Sequence, residues 1–214
     1  MRTRTPAGRT GRPRSAAADA AILAATREAL AELGWSGLTL GDVASRAGVA
    51  KTTLYRRWAG KNELVVDAVA ELFDALELPD RGGSLAADIE NVVLQFAALL
   101  SRPEAGSGLM AVVAESTRDE ALRERIRVSI VERQKHLVHT GRARAQDRGE
   151  LPPEPDPREA ARTVGLIFDM VAGAVVHRTL VSGRPVDETW VHDFTRVLLT
   201  GLTGATTADN PTWP

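Results

Sequence analysis

With 214 residues and 43% hydrophobic content, the chain can bury one sizeable core or two small ones, and having no cysteine it can form no disulfide, thiolate metal site or cysteine nucleophile. The N-terminus, rich in Arg, Thr, Gly and Pro, does not read as an export signal, and charges interrupt the apolar stretches short of the ~18 residues that a membrane span needs. A soluble cytoplasmic protein with no membrane partner is therefore expected. The net charge of −1 hides a split: residues 1–62 carry eleven Lys/Arg against four acids, +7, and the remainder carries −8, so a basic end suited to a polyanion joins an acidic body.

Residues 1–14 read as a disordered basic arm, because Gly, Pro, Thr and Arg without apolar periodicity cannot offset the entropy of ordering. From Ala17, the recurrence of Ile22, Leu23, Thr26, Leu30 and Leu33 predicts a helix of about sixteen residues stopped by Gly34. Thr39 with Asp42 three residues on reads as the capped start of a short helix with Val43, Ala44 and Ala47 inside, ended by Gly48. A second short helix, about Ala50 to Arg57, turns Leu54 and Trp58 inward at i, i+4 spacing. A fourth runs from Lys61 towards Leu76, and Pro79 with Arg81, Gly82 and Gly83 marks a boundary between a domain over 15–78 and a body over 84–204.

The body also reads as helices. Ser84 caps one from Leu85 to Leu100 closed by Arg102-Pro103; a shorter one spans about Gly108 to Glu115, and a long one runs from Asp119 to about Arg148. After the proline-rich connector 151–157 comes a helix from Arg158 to about Val181, apolar over more of its circumference than one core face needs. A last helix starts at Asp187, and 205–214 reads as a flexible tail. The fold class is thus all-α, with about nine helices and no alternating strand.

Ala44 and Gly48, with apolar Val43, Val49 and Leu54, meet the steric demands of a helix-turn-helix: a small residue for close approach, a glycine for the turn, apolar positions to lock the crossing. The stretch from Leu38 to Trp58, followed by Lys61-Asn62-Glu63-Leu64, resembles the N-terminal signature of the TetR family of transcriptional regulators. That resemblance implies an all-helical homodimer, with a three-helix DNA-binding domain followed by a larger domain that binds an inducer and dimerises. It also implies that Thr39 contacts a phosphate, that Lys51, Thr52 and Thr53 face the major groove, and that Tyr55 and Lys61 grip the backbone. Trp58 stands where Phe is usual, Ala59-Gly60 replaces the commoner Pro-Ser or Gly-Ser, and Arg57 stands where His is frequent.

Elementary recognition chemistry agrees. Thr and Lys on an exposed helix donate to base edges or touch thymine methyls, while Arg56 and Arg57 at the rim neutralise phosphates. Each side chain also has a plainer reading: Tyr55 packing on the first helix, Thr39 only capping, Arg57 merely solvated. In the arm, Gly11-Arg12-Pro13-Arg14 is similar to an AT-hook core, in which Arg12 and Arg14 would enter an A·T minor groove; a loosely attracted tail is the alternative.

No catalytic constellation emerges: there is no nucleophile elbow, phosphate loop or dinucleotide fingerprint, and no cofactor is implied. Glu132, His136 and His139 share a helical face but lack the HExxH arrangement, and read as a polar face. Phe96, Met110, Val113, Phe168, Val171 and His177 are candidate walls of a pocket for an unidentified small-molecule inducer, with ordinary core as their plain reading. Val164, Val175, Trp190, Phe194 and Leu198 are candidates for a homodimer interface. The expected function is a regulator that binds a double-stranded palindromic operator and is released by ligand. A small-molecule binder that has lost DNA recognition and a non-specific nucleoid protein are the rivals.

Overall fold

Gly34, at φ +64°, breaks the first helix where the sequence stops it. The computed structural model describes residues 12–79, 83–153 and 156–204, and every regular element among them is helical. Helix α1 (Arg12–Gly37) carries that break near its end and buries Ile22, Ala29 and Leu30. It starts before the expected Ala17. The backbone of Arg12 and Arg14 is therefore helical, while their side chains and the rest of the basic arm lie outside the described residues, as does the tail 205–214.

Helices α2 (Leu40–Arg46), α3 (Lys51–Tyr55) and α4 (Lys61–Phe73) follow. In the body, α5 (Leu85–Leu100) has the expected Ser84 cap, whose hydroxyl accepts from Ala87 N–H at 3.2 Å. Helix α6 (Pro103–Ser116) starts five residues before the expected Gly108, because Pro103 opens it at its first position, where a missing N–H costs nothing. Gly108 then lets α6 settle on α1 and α4: a Cβ there would lie 2.9 Å from Val69 Cγ2 and 3.3 Å from Leu30 Cδ1.

The long helix is α7 (Glu120–Ile126) and α8 (Glu132–Asp147), joined by a π-helical turn, Arg127–Val131. Its inward positions explain that turn. Leu122, Ile126, Ile130 and Gln134 step by four, and a 3.6-residue helix would carry such a row off the core, so one wider turn restores the register. Helices α9 (Pro157–Val176, with a second π turn His177–Val181) and α10 (Glu188–Gly204) complete the body, which makes nine rods among the described residues. Buried side chains of both expected domains join in one continuous core, from Ile22 through Leu64 and Phe96 to Val191.

In α9 only Asp169 interrupts the run 164–176, which otherwise holds apolar residues and glycine, so the segment Pro157–Val181 is long and apolar enough by composition to cross a membrane, against the expectation from charge spacing. A core or interface helix of a soluble protein meets the same test.

Candidate nucleic-acid interface

The turn between α2 and α3 is a Schellman motif. Gly48 adopts φ +63°, its N–H donates to Ser45 O at 3.2 Å, and Val49 N–H donates to Ala44 O at 3.0 Å. Leu54 and Val43 are fully buried and Trp58 nearly so, which holds α3 against α1 and α2 by its inner face. The opposite face, exposed to solvent, carries Lys51, Thr52, Tyr55 and Arg56, with Thr53 half-buried beside them. Tyr55 is 56% exposed, so packing on α1 is not its role.

Thr39 and Lys51 meet at the start of α2. The Thr39 hydroxyl accepts from Asp42 N–H at 3.2 Å and donates to Asp42 Oδ2 at 2.5 Å, which is a complete cap on an exposed turn. The Lys51 side chain lies across that turn, where a Cβ on Gly41 would come within 3.1 Å of Nζ. Glycine leaves the lysine its path there.

Two of the predicted cations, Arg57 and Lys61, are engaged within the protein. Arg57 pairs with Asp19 of α1. Lys61 Nζ donates to Trp35 O at 2.5 Å and sits 4.2 Å from the Trp35 ring centroid, and its burial lowers its pKa, which the Glu115 carboxylate partly opposes. Arg46, on α2, pairs with Glu32 at 2.6 Å. These pairs staple α1 to the helix-turn-helix and fix the attitude of α3. Exposed Lys51 and Arg56, with Thr52 and Tyr55, make up the charged and polar surface of its outer face.

Trp58 ties the reading helix to the body. Its Nε1–H donates to Asp67 Oδ2 of α4 at 2.8 Å, and Arg125 of α7 donates to Asp67 Oδ1 and Oδ2 at 3.2 and 2.7 Å. One carboxylate thus receives donors from the end of α3 and from the body, a link that spacing alone did not reveal.

Within the body, an apolar cavity of about 870 Å³ including its mouth is walled by Phe73, Leu76, Phe96, Leu137, Phe168 and Val171, among others. Phe96, Phe168 and Val171 were expected there. Met110, Val113 and His177 lie exposed elsewhere, the first two at 40% and 42%, because α6 turns Leu109 and Val112 inward instead. Polar wall residues Asp88, Gln134 and Arg142 escaped sequence reasoning, which weighed only apolar faces.

Of the expected interface residues, Val164, Val175 and Leu198 are buried within the chain itself, and Trp190 and Phe194 stack on each other at 5.1 Å and pack against its core. The large apolar side chains that α9, its π turn and α10 leave uncovered are Leu166, Met170, Val181 and Val197. Glu132, from the rejected metal reading, is held by Arg127 and Lys135.

Two family models match the chain: bacterial regulatory proteins of the tetR family over residues 22–68, and the tetracyclin repressor-like C-terminal domain over 78–198. An uncharacterized HTH-type transcriptional regulator of Mycobacterium tuberculosis is 30% identical over 188 residues, covering 86% of this chain and 88% of the relative. The crystal structure of the TetR family transcription regulator SCO0332 is 30% identical with a TM-score of 0.71, covering 86% of this chain and 97% of that one. The TetR family repressor FadR of Thermus thermophilus, solved with lauroyl-CoA, shares the fold at 16% identity and TM-score 0.65, over 92% and 98% of the two chains. With an exposed helix-turn-helix face on a basic half, an all-helical body behind it and both domain models matched, the chain belongs to the TetR family and is a DNA-binding transcriptional regulator, not an enzyme.

Proposed function

We propose that the chain acts in the cytoplasm as a homodimeric repressor. Two α3 helices read a palindromic operator, and a small molecule in the body cavity ends repression. The observation that carries the DNA half is the outer face of α3, where Lys51, Thr52, Tyr55 and Arg56 stand exposed on a helix locked from behind by Leu54 and Trp58. Lys51, Thr52 and Thr53 read base edges, while Tyr55, Arg56 and the capped turn at Thr39 meet phosphates. Arg57 and Lys61 act one step back, through Asp19 and Trp35, by holding α1 and α4 to the reading helix.

The dimer half rests on α9. Only 17% of its most apolar stretch is buried within one chain, and Leu166 and Met170, 58% and 37% exposed, stand on one stripe with Gly173, whose Cβ position meets nothing. A second copy would cover that stripe and set two α3 helices about one DNA turn apart.

The release half rests on α4. Phe73 and Leu76, on and just after it, wall the cavity, while Asp67 on the same helix holds Trp58. A ligand that fits one attitude of α4 better than another therefore biases the spacing of the reading helices by its difference in affinity.

Fluorescence anisotropy with the DNA that flanks the gene tests this reading. A complex is expected that prefers that DNA to a scrambled duplex and weakens steeply with salt. Equal binding to both duplexes would make the protein a non-specific DNA coater, and no binding to either would make it a ligand binder without an operator.

A further inference from the structure

The positive charge of the basic end lies outside the folded DNA-binding domain. Residues 15–78, which hold the helix-turn-helix and α4, carry six Lys/Arg against nine Asp/Glu, a net −3, and residues 79–214 carry sixteen against nineteen, a further −3. The arm, residues 1–14, has Arg2, Arg4, Arg9, Arg12 and Arg14 and no acid, +5. Within the domain, four of the six cations are committed to the protein itself: Arg27 pairs with Glu71, Arg46 with Glu32 and Arg57 with Asp19, and Lys61 donates to the Trp35 carbonyl. Lys51 and Arg56 stand exposed on α3. A domain of net charge −3 that offers DNA two outward cations gains little from counterion release and is repelled by the phosphates at longer range.

We propose that the arm is a phosphate clamp: its five arginines pair with the DNA backbone beside the groove that α3 enters and supply most of the electrostatic affinity, while α3 supplies the sequence preference. This deepens the reading of α3 as the operator-reading helix and rests on it. The Arg57–Asp19 pair sets the second turn of α1 against the end of α3, so α1 begins about 10 Å along its axis from the reading helix, at 1.5 Å per residue back to Arg12. The eleven residues before Arg12 can span up to ~36 Å, a length of B-DNA that carries roughly twenty phosphates on its two strands. Entry of Gly11-Arg12-Pro13-Arg14 into a minor groove would need an extended backbone, and the backbone from Arg12 to Arg14 is instead the first turn of α1. The arm therefore acts by charge and not by reading the groove.

Anisotropy titrations over a range of salt concentrations, on the duplex that flanks the gene and on a scrambled duplex, test the assignment with the full chain. Each phosphate neutralised contributes about 0.9 to the slope of log affinity against log salt, so two cations of α3 and five of the arm give a slope of roughly −6 per bound protomer. Replacing all five arm arginines with Gln should bring it to roughly −2 and weaken binding to both duplexes alike, on the order of a hundredfold or more at ~0.15 M salt, with the preference between them kept. Lys at the same five positions keeps the charge and should restore both slope and affinity. Arg2→Gln, Arg4→Gln and Arg9→Gln together, which leave the first turn of α1 untouched, should lower the slope by about 3 with the melting temperature unchanged. An unchanged slope in the Gln variants would overturn the proposal, and failure of Lys to restore binding would do so in favour of arginines inserted in a minor groove. Preference for the flanking duplex with a slope indifferent to the arm removes the clamp and leaves the operator reading. A steep, arm-dependent slope with no preference removes the operator and leaves the clamp, and no binding by the wild type would overturn both.

Discussion

Asp67 Oδ2 accepts from both Trp58 Nε1 and Arg125 Nη2, at 2.8 and 2.7 Å, so removing either donor alters what the other gains. Arg125→Met keeps the aliphatic stem and deletes two charge-assisted hydrogen bonds. Such bonds are worth up to ~3 kcal/mol each when buried. Here the side chains are 34% and 27% exposed, and solvent screening brings the expected loss to about 1–2 kcal/mol for the pair. Trp58→Phe keeps most of the ring in its buried socket and deletes one donor to the carboxylate, an expected loss of ~1–2 kcal/mol once the smaller volume is included. Because both act on one oxygen, the double variant should depart from additivity by ~0.5–1 kcal/mol. Urea denaturation of the four proteins at one fixed protein concentration measures this, since stability of a dimer depends on concentration. The same variants should weaken operator binding, because the end of α3 loses its tie to α4. Additivity within ~0.3 kcal/mol, together with unchanged DNA affinity, would refute the claim that Asp67 joins the reading helix to the body.

Other substitutions probe the remaining parts. Gly108→Ala places a methyl 2.9 Å from Val69 Cγ2 between α6, α1 and α4, and should cost about 1–3 kcal/mol in urea denaturation; a neutral result would show that α6 does not pack there. Glu150 accepts from Leu85 N–H at 2.6 Å and pairs with Arg148, which hold its carboxyl below the usual carboxylate range. Its contribution is therefore present above its unfolded value of 4.5 and fades as pH falls through the lower folded value. The stability gap between wild type and Glu150→Gln should be constant above about pH 5.5 and close in acid, as pH-dependent melting would record. Leu166→Glu should turn the proposed dimer into monomers in light scattering, whereas Val113→Glu, on an exposed face of α6, should not. Arg56→Ala should weaken binding to all DNA and lower the salt slope by about 1, while Thr52→Ala should change sequence preference, both read by anisotropy.

The elements that were legible in the sequence carry local signals. Ser84 ahead of Leu85, Thr39 with Asp42, and Gly34 and Gly48 at helix ends each satisfy or relieve backbone groups within four residues, and the structure puts those caps and turns where the pattern does. What the pattern could not carry depends on partners far along the chain. Arg57 and Lys61 read as phosphate-binding cations because nothing near them in sequence discloses Asp19 or Trp35. Val164 and Leu166 are equally apolar, and only the packing of α9 decides that the first is buried and the second faces out. Pro103 was read as an ending when it is a beginning, since proline fits both sides of a helix boundary. The polar wall of the cavity was invisible for a related reason: Asp88 and Gln134 look like solvent-facing residues of amphipathic helices until their burial is known.

Hydroxyl-radical footprinting on the DNA flanking the gene tests the central claim most directly. Wild-type protein should protect two half-sites centred about one helical turn apart, related by a two-fold axis, and Lys51→Ala should lose or relocate that protection at protein levels where the wild type still protects. A single half-site, a uniform ladder of protection over any duplex, or a pattern indifferent to Lys51 would contradict a dimer that reads its operator through α3.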